Sequence, residues 1–307
     1  MAADTSNSIL SIFNHIVQQH GSDLSEPLAQ IINGSDHLKS RIRSSTDGIF
    51  PMFSPQSAGT SDSRRIATIQ GINAIPELLM RLVSTVKSGG DASQDPLDTI
   101  MQGLRPYEVP DSSNEAIVRL GNLLSKYGSD KSGGHRYDLI YGSLFPNPSQ
   151  VSRILEIGLG TNHLDILSTM GPDGKPGASL RAFRDFFPNA DLIGCDIDSR
   201  ILFNEDRIRT FAVDQTDIKS FPSEIGDAPS FDLMIDDGLH APHANVSALL
   251  YFIPRLKVGG FAVVEDIGQH AKIFWVLVYL LIRDRFDCRL FQSPSSGAFA
   301  FIARRSW

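Results

Sequence analysis

Residues 153–160 read RILEIGLG, an apolar run (Ile154, Leu155, Ile157) that breaks into a Gly-x-Gly turn, with a carboxylate, Glu156, just ahead of it. The pattern predicts a buried strand ending in a tight turn. Glycines at that point let the backbone approach a ligand closely, and a helix following the turn would offer its N-terminal amides. A nucleotide-type ligand is the expectation, and the rest of the chain has to say which one.

Outward from this stretch the pattern alternates strand and helix to the C-terminus. Candidate strands are Arg153–Ile157, Asp191–Asp196, Arg209–Val213, Phe231–Ile235, Gly260–Val264, Cys288–Gln292 and Ala298–Ala303, with helices near Ser179–Phe187, Pro242–Leu256 and Lys272–Arg283. Short apolar runs separated by helical stretches imply parallel pairing through right-handed crossovers. The last two strands are joined only by SPSSG, which is long enough for a hairpin and too short for a crossover. An α/β, Rossmann-like sheet of seven mostly parallel strands with an antiparallel terminal hairpin resembles the layout of the class I S-adenosylmethionine-dependent methyltransferases.

A lone Gly-x-Gly also opens dinucleotide-binding domains. Their fingerprint places a third glycine three residues after the second, and here that position is His163. The form Glu156-x-Gly158-x-Gly160 is the methyltransferase one. LIGCDID ends the second strand with Asp196, placed to accept ribose hydroxyls, with Asp198 as a substitute. FAVDQTD follows with Asp214, placed to hydrogen-bond an adenine amino group, and Gln215 beside it. In an open α/β sheet, carboxylates at the C-terminal ends of successive strands converge on one crevice.

A second constellation follows the fourth and fifth strands. In FDLMIDDGLHAPH, Asp237 falls just past a strand end, and in GGFAVVEDIGQH, Glu265 and Asp266 fall just past the next. Neighbouring parallel strands lie about 4.8 Å apart, so the three carboxylates are placed to share one ion. An all-oxygen set suits Mg²⁺ or another hard divalent cation. Without a cation, carboxylates crowded beside an acidic nucleotide site would repel one another. His240 is placed to act on whatever that ion binds, whereas His243 and His270 read as surface residues or supports behind the ligands.

SDKSGGHRYDLIYGSLF precedes the sheet and packs Lys131, His135, Tyr137 and Tyr141 around a Gly-Gly pair. Together with ILEIGLGTN, SLRAFRDFFPNADLIGCDID, VDQTD, IDDGLH and VVEDI, the chain between Ser129 and Asp266 resembles the metal-dependent O-methyltransferases that tailor macrolide sugars, the mycinamicin type, and is also similar to the related cephalosporin-hydroxylase-type proteins. The resemblance implies Asp237, Glu265 and Asp266 as metal ligands and His240 as general base. It implies a lid in the segment Lys131 to Tyr141. The cofactor contacts expected with it are Glu156, Gly158, Gly160, Asn162, Asp196, Asp214, Gln215, Asp236, Lys131 and Tyr137, holding S-adenosylmethionine. The expected reaction is O-methylation of a small hydroxylated natural product. The rival readings are N- or C-methylation or a hydroxylase-associated role on the same fold, and a non-catalytic scaffold.

Composition is compatible with this. The chain has 307 residues, 41% hydrophobic and 21% charged, with a net charge of −7. That balance is ordinary for a globular protein and argues against nucleic acid or an anionic membrane as partner. Two cysteines exclude a disulfide framework, and Cys195 sits in an apolar run where a buried, inert thiol is expected. The N-terminal residues lack a basic region followed by an apolar one, and Ile273 to Ile282 falls short of the roughly 20 residues of a membrane span. A cytoplasmic homo-oligomer is the expectation. Residues 1–110 read as a separate helical cap or oligomerisation segment, with amphipathic runs at Ile9–Val17 and Ile66–Val86, and residues 111–307 as the cofactor-binding domain. Asn114 or Ser113 would cap a helix over Glu115–Tyr127.

Overall fold

A computed structural model describes residues 78, 82, 104–109, 111–226 and 230–307, except the side chains of His270 and Ile273. The run at Ile9–Val17 and most of that at Ile66–Val86 lie outside the described residues. Of the latter, Leu78 and Leu82 are helical, and Leu82 is fully buried among core residues of the sheet domain.

The elements run β1 (Arg105–Pro106), α1 (Glu115–Tyr127), α2 (Asp130–Gly133), α3 (Asp138–Leu144), β2 (Arg153–Ile157), α4 (Ala178–Phe186), β3 (Asp191–Asp196), β4 (Asn204–Glu205), β5 (Ile208–Ala212), α5 (Ser220–Glu224), β6 (Phe231–Asp236), α6 (Pro242–Phe252), β7 (Leu256–Ile267), α7 (Lys272–Ile282), β8 (Phe286–Gln292) and β9 (Phe299–Arg305). They form one sheet in the order β1-β8-β9-β7-β6-β2-β3-β5-β4. β5, β3, β2, β6 and β7 pair in parallel, and β9 enters antiparallel between β7 and β8. The seven expected strands and their terminal hairpin are therefore present in the class I methyltransferase arrangement. Two short edge strands, β1 and β4, are additional.

Helices cover both faces. The core on one side unites Ile117, Leu120 and Leu124 of α1 with Leu180, Phe183 and Phe186 of α4. Their spacing of three to four residues places each set on one helical face, and each buried Phe contributes about 1.5–3 kcal/mol. On the other side, Val246 and Leu249 of α6 pack with Phe274, Trp275 and Val278 of α7. The apolar run Ile273 to Ile282 is thus a core helix. α1 is capped by Asn114, whose side chain accepts the Ala116 N–H, and ends at Gly128 in the left-handed region (φ 79°). α6 stops at Phe252, earlier than expected, because Pro254 has no N–H to continue the ladder, and Leu256 already begins β7.

Candidate active site

The turn after β2 is held from two sides. Gly158 N–H donates to the Cys195 carbonyl (2.8 Å), and Leu159 N–H donates to Asp196 Oδ2 (2.7 Å). No helix follows the turn directly. Residues 161–177 form a loop instead, closed by the Gly177 N–H donating to Leu159 O (2.7 Å), which returns the start of α4 to the glycine turn. From the first turn of α4, Ser179 donates to Glu156 Oε2 (2.8 Å). Glu156 is fully buried, and burial, opposed by Lys131, pushes its carboxyl up to about 7.

Beside the turn lies a cavity of about 250 Å³, lined among others by Gly158, Asp196, Asp214, Gln215, Gly238 and Leu239. Of the two aspartates at the end of β3, Asp196 faces this cavity. Asp198 is taken up by Thr161 (2.6 Å), Arg200 Nε (2.6 Å) and His163 Nδ1 (2.7 Å). His163, standing where a third glycine would be, therefore clasps the loop to the end of β3. The Asp214 carboxylate folds onto its own turn, accepting from the Thr216 N–H and hydroxyl (2.9 and 2.6 Å). Gln215 donates to Asp236 Oδ1 (2.6 Å) and accepts the Leu239 N–H (2.9 Å). Asp236 is fully buried, and Asn245 of α6 donates to its other oxygen (2.9 Å). Asp236 thus braces the turn between β6 and α6 and is absent from the cavity lining. Asn162 is half-buried, and Gly160 lies under the Met170 side chain.

The second constellation forms at the ends of β6 and β7. Asp237 follows β6 directly, whereas Glu265 and Asp266 lie inside β7, not past its end. There the β7–β9 register shifts between Val264 and Ile267, and Asp266 takes φ 52°. A bulge of this kind re-aims side chains, and it turns Asp266 toward Asp237. Asp237, His240 and Asp266 each bring a ligand atom within 4.8 Å of the others. His240 also adopts a left-handed backbone (φ 54°), and its Nε2 lies 3.8 Å from Asp237 Oδ1 and 3.9 Å from Asp266 Oδ2. Non-glycine residues in this region are strained, and they concentrate at functional sites. His240 Nδ1 is buried and, among the described residues, has no hydrogen-bond partner.

Lys131 and the tyrosines sit on this cluster, not on the cavity. Lys131 Nζ contacts Glu265, donates to Asp237 Oδ2 (2.5 Å) and lies 3.5 Å from Glu156. Burial works against its charge, but Asp237, Glu265 and Glu156 outweigh it and hold the ammonium well above the ordinary lysine range. Tyr141 donates to Glu265, and Tyr137 to Asp266 Oδ1 (2.6 Å). His135 Nδ1 lies 2.9 Å from the same Asp266 oxygen, a charge contact off the line of a hydrogen bond. Burial alone would raise Asp266, yet His135, His240 and Tyr137 bring it below the usual carboxylate range. Glu265 therefore faces Lys131 and Tyr141 and does not join the three-residue cluster. His243 is not a surface residue: it is 5% exposed, and burial lowers its imidazole to about 4. His270 lies outside the described side chains. Sequence reading assigned no role to Ser179, the first residue of the stretch SLRAFRDFFPNADLIGCDID, or to Asn245, which lies outside every quoted motif, and both are recognisable only by what they touch.

No protein-family model matches the chain. Over 154 residues, 49% of this chain, it is 33% identical to the 8-demethyl-8-alpha-L-rhamnosyl tetracenomycin-C 2'-O-methyltransferase of Streptomyces olivaceus. Over 150 residues, 48% of this chain, it is 34% identical to the mycinamicin VI 2''-O-methyltransferase of Micromonospora griseorubida. The chain resembles the mycinamicin-type O-methyltransferases. The matches span 38% and 35% of those relatives' own lengths. Among solved structures, the MycE methyltransferase of the mycinamycin biosynthetic pathway, in complex with Mg and SAH, is similar at 25% identity and a TM-score of 0.48, over 61% of this chain and 54% of that one.

Proposed function

We propose that this chain binds S-adenosylmethionine and a divalent cation, Mg²⁺ foremost, and methylates a hydroxyl of a small glycosylated natural product. The observation that carries the reading is the convergence of Asp237, His240 and Asp266 from the ends of two adjacent strands, beside a cavity walled by the glycine turn and Asp196. The acceptor class is suggested by the relatives, whose names specify a rhamnosyl tetracenomycin and mycinamicin VI.

The donor set fits a hard cation. Glu156, Asp237 and Glu265 place three carboxylates around one resident ammonium, Lys131, and Asp266 stands beside Asp237 in the three-residue cluster. Oxygen donors at this density call for further positive charge. One imidazole with two carboxylates is the reverse of the two-His-one-carboxylate triad of non-haem iron oxygenases, which weighs against a hydroxylase role.

An ion held by Asp237 and Asp266 would supply Lewis acidity to a hydroxyl at the site, and the sulfonium cofactor supplies an activated methyl group. The protein has to deliver the oxygen in line at about 3 Å. The bulge in β7 and the strained turn at His240 aim the side chains for this. His240 Nε2 takes the hydroxyl proton, being directed into the cluster while making no hydrogen bond to either carboxylate. Tyr137 and His135 fix the orientation of Asp266 from behind.

The test is transfer of labelled methyl from S-adenosylmethionine to a panel of rhamnosylated and related glycosides, with chelator and with Mg²⁺ restored. Label on a sugar oxygen that chelator abolishes and Mg²⁺ restores is expected. Label on nitrogen or carbon, or no transfer to any acceptor, overturns the reading.

A further inference from the structure

Lys131 is 2% exposed and belongs to a four-residue helix, α2, whose N-cap Ser129 accepts the Lys131 N–H (3.3 Å). An ammonium so buried persists only against negative charge. Its counter-charges come from three strands: Glu156 in β2, Asp237 after β6 and Glu265 in β7. Asp237 is shared. Its Oδ2 receives Lys131 at 2.5 Å, while its Oδ1 lies 3.8 Å from His240 Nε2, on the side of the three-residue cluster.

Resting on the metal reading above, we infer that Lys131 is a resident counter-cation that competes with the divalent ion for the carboxylates of Asp237 and Glu265. Two cations drawing on one carboxylate weaken each other's hold, and inside a protein this repulsion is only partly screened. Lys131 therefore sets the metal affinity low. Through Glu156 it also ties the metal ligands to the strand that carries the glycine turn. Removing its charge frees Glu265 and both oxygens of Asp237 for the ion.

The experiment is direct titration of Mn²⁺ into the full chain at pH 8, followed by electron paramagnetic resonance, with neither cofactor nor acceptor present. Lys131→Met should bind Mn²⁺ at least tenfold more tightly than the unsubstituted protein, and Lys131→Arg, which keeps the charge, within threefold of it. Equal or weaker binding by Lys131→Met beside normal binding by the unsubstituted protein overturns the inference alone. Absence of Mn²⁺ binding in all three at millimolar ion overturns the metal reading, and this inference with it. If Lys131→Met does not fold in chelator, Mn²⁺ should restore its circular dichroism, because the ion takes over the role of the ammonium. Failure to restore it counts equally against the inference.

Discussion

The turn at Gly158 is in backbone contact with Asp237: a Cβ on Gly158 would lie 2.0 Å from the Asp237 carbonyl oxygen, and the Asp237 N–H donates to Ile157 O at 2.9 Å. Gly158 also holds φ 88°. The glycine is required by the approach of β2's turn to the end of β6, whatever ligand the turn also contacts, so the two halves of the site meet backbone to backbone. Gly158→Ala should cost about 2–5 kcal/mol of stability, from left-handed strain and overpacking together. It should also weaken cofactor and metal binding in parallel. Urea denaturation checks the first part, and a loss below about 1 kcal/mol would refute the contact.

Among the described residues His240 makes no hydrogen bond that holds a neighbour in place, and it does not line the cavity beside the glycine turn, so its removal should leave cofactor binding intact. His240→Ala is expected to bind S-adenosylmethionine within about threefold of the original by calorimetry. Methyl transfer should fall by about 10²–10⁴-fold, the usual contribution of a general base. Retained turnover would discard the base assignment.

Asp237 faces both Lys131 and the three-residue cluster. Asp237→Asn keeps the shape and removes a charge, so it should raise the Mg²⁺ concentration needed for half-maximal transfer by about tenfold or more, in line with the loss of roughly one charged ligand interaction. A magnesium titration of the transfer rate is the measurement. An unchanged requirement would exclude Asp237 from the ligand set.

His243 gives the protein a pH signature. Its imidazole, near 6.5 in an unfolded chain, is lowered to about 4 by burial, with Asp214 opposing. The folded state thus binds fewer protons than the unfolded one between these values. The contribution of His243 is fully present above pH 6.5 and is lost as pH falls toward 4. Between pH 7 and pH 5 the loss is about 2 kcal/mol. Urea midpoints at both pH values should show a fall that His243→Gln reduces by this amount, and equal falls in the two proteins would contradict the burial argument.

Much of the architecture was legible because it is written locally. The period of apolar residues, the glycine turn, Asn114 before α1 and the short SPSSG link each act over a few residues, so strands, helices and the terminal hairpin were readable without their partners. The edges were less so. Pro254 stopped α6 early, and the short strands β1 and β4 owe their pairing to neighbours already in place.

The sequence by itself determined the class of sheet and the placing of carboxylates at strand ends, because strand polarity and connection length decide both. Tertiary structure alone decided what those carboxylates do. Lys131 reaches Asp237 and Glu265 from 106 and 134 residues away, the bulge in β7 separates Asp266 from its neighbour Glu265, and His243 is buried by packing that its own surroundings in sequence do not announce. A charge's partner, and with it its chemistry, depends on register and crossover, which no local pattern encodes.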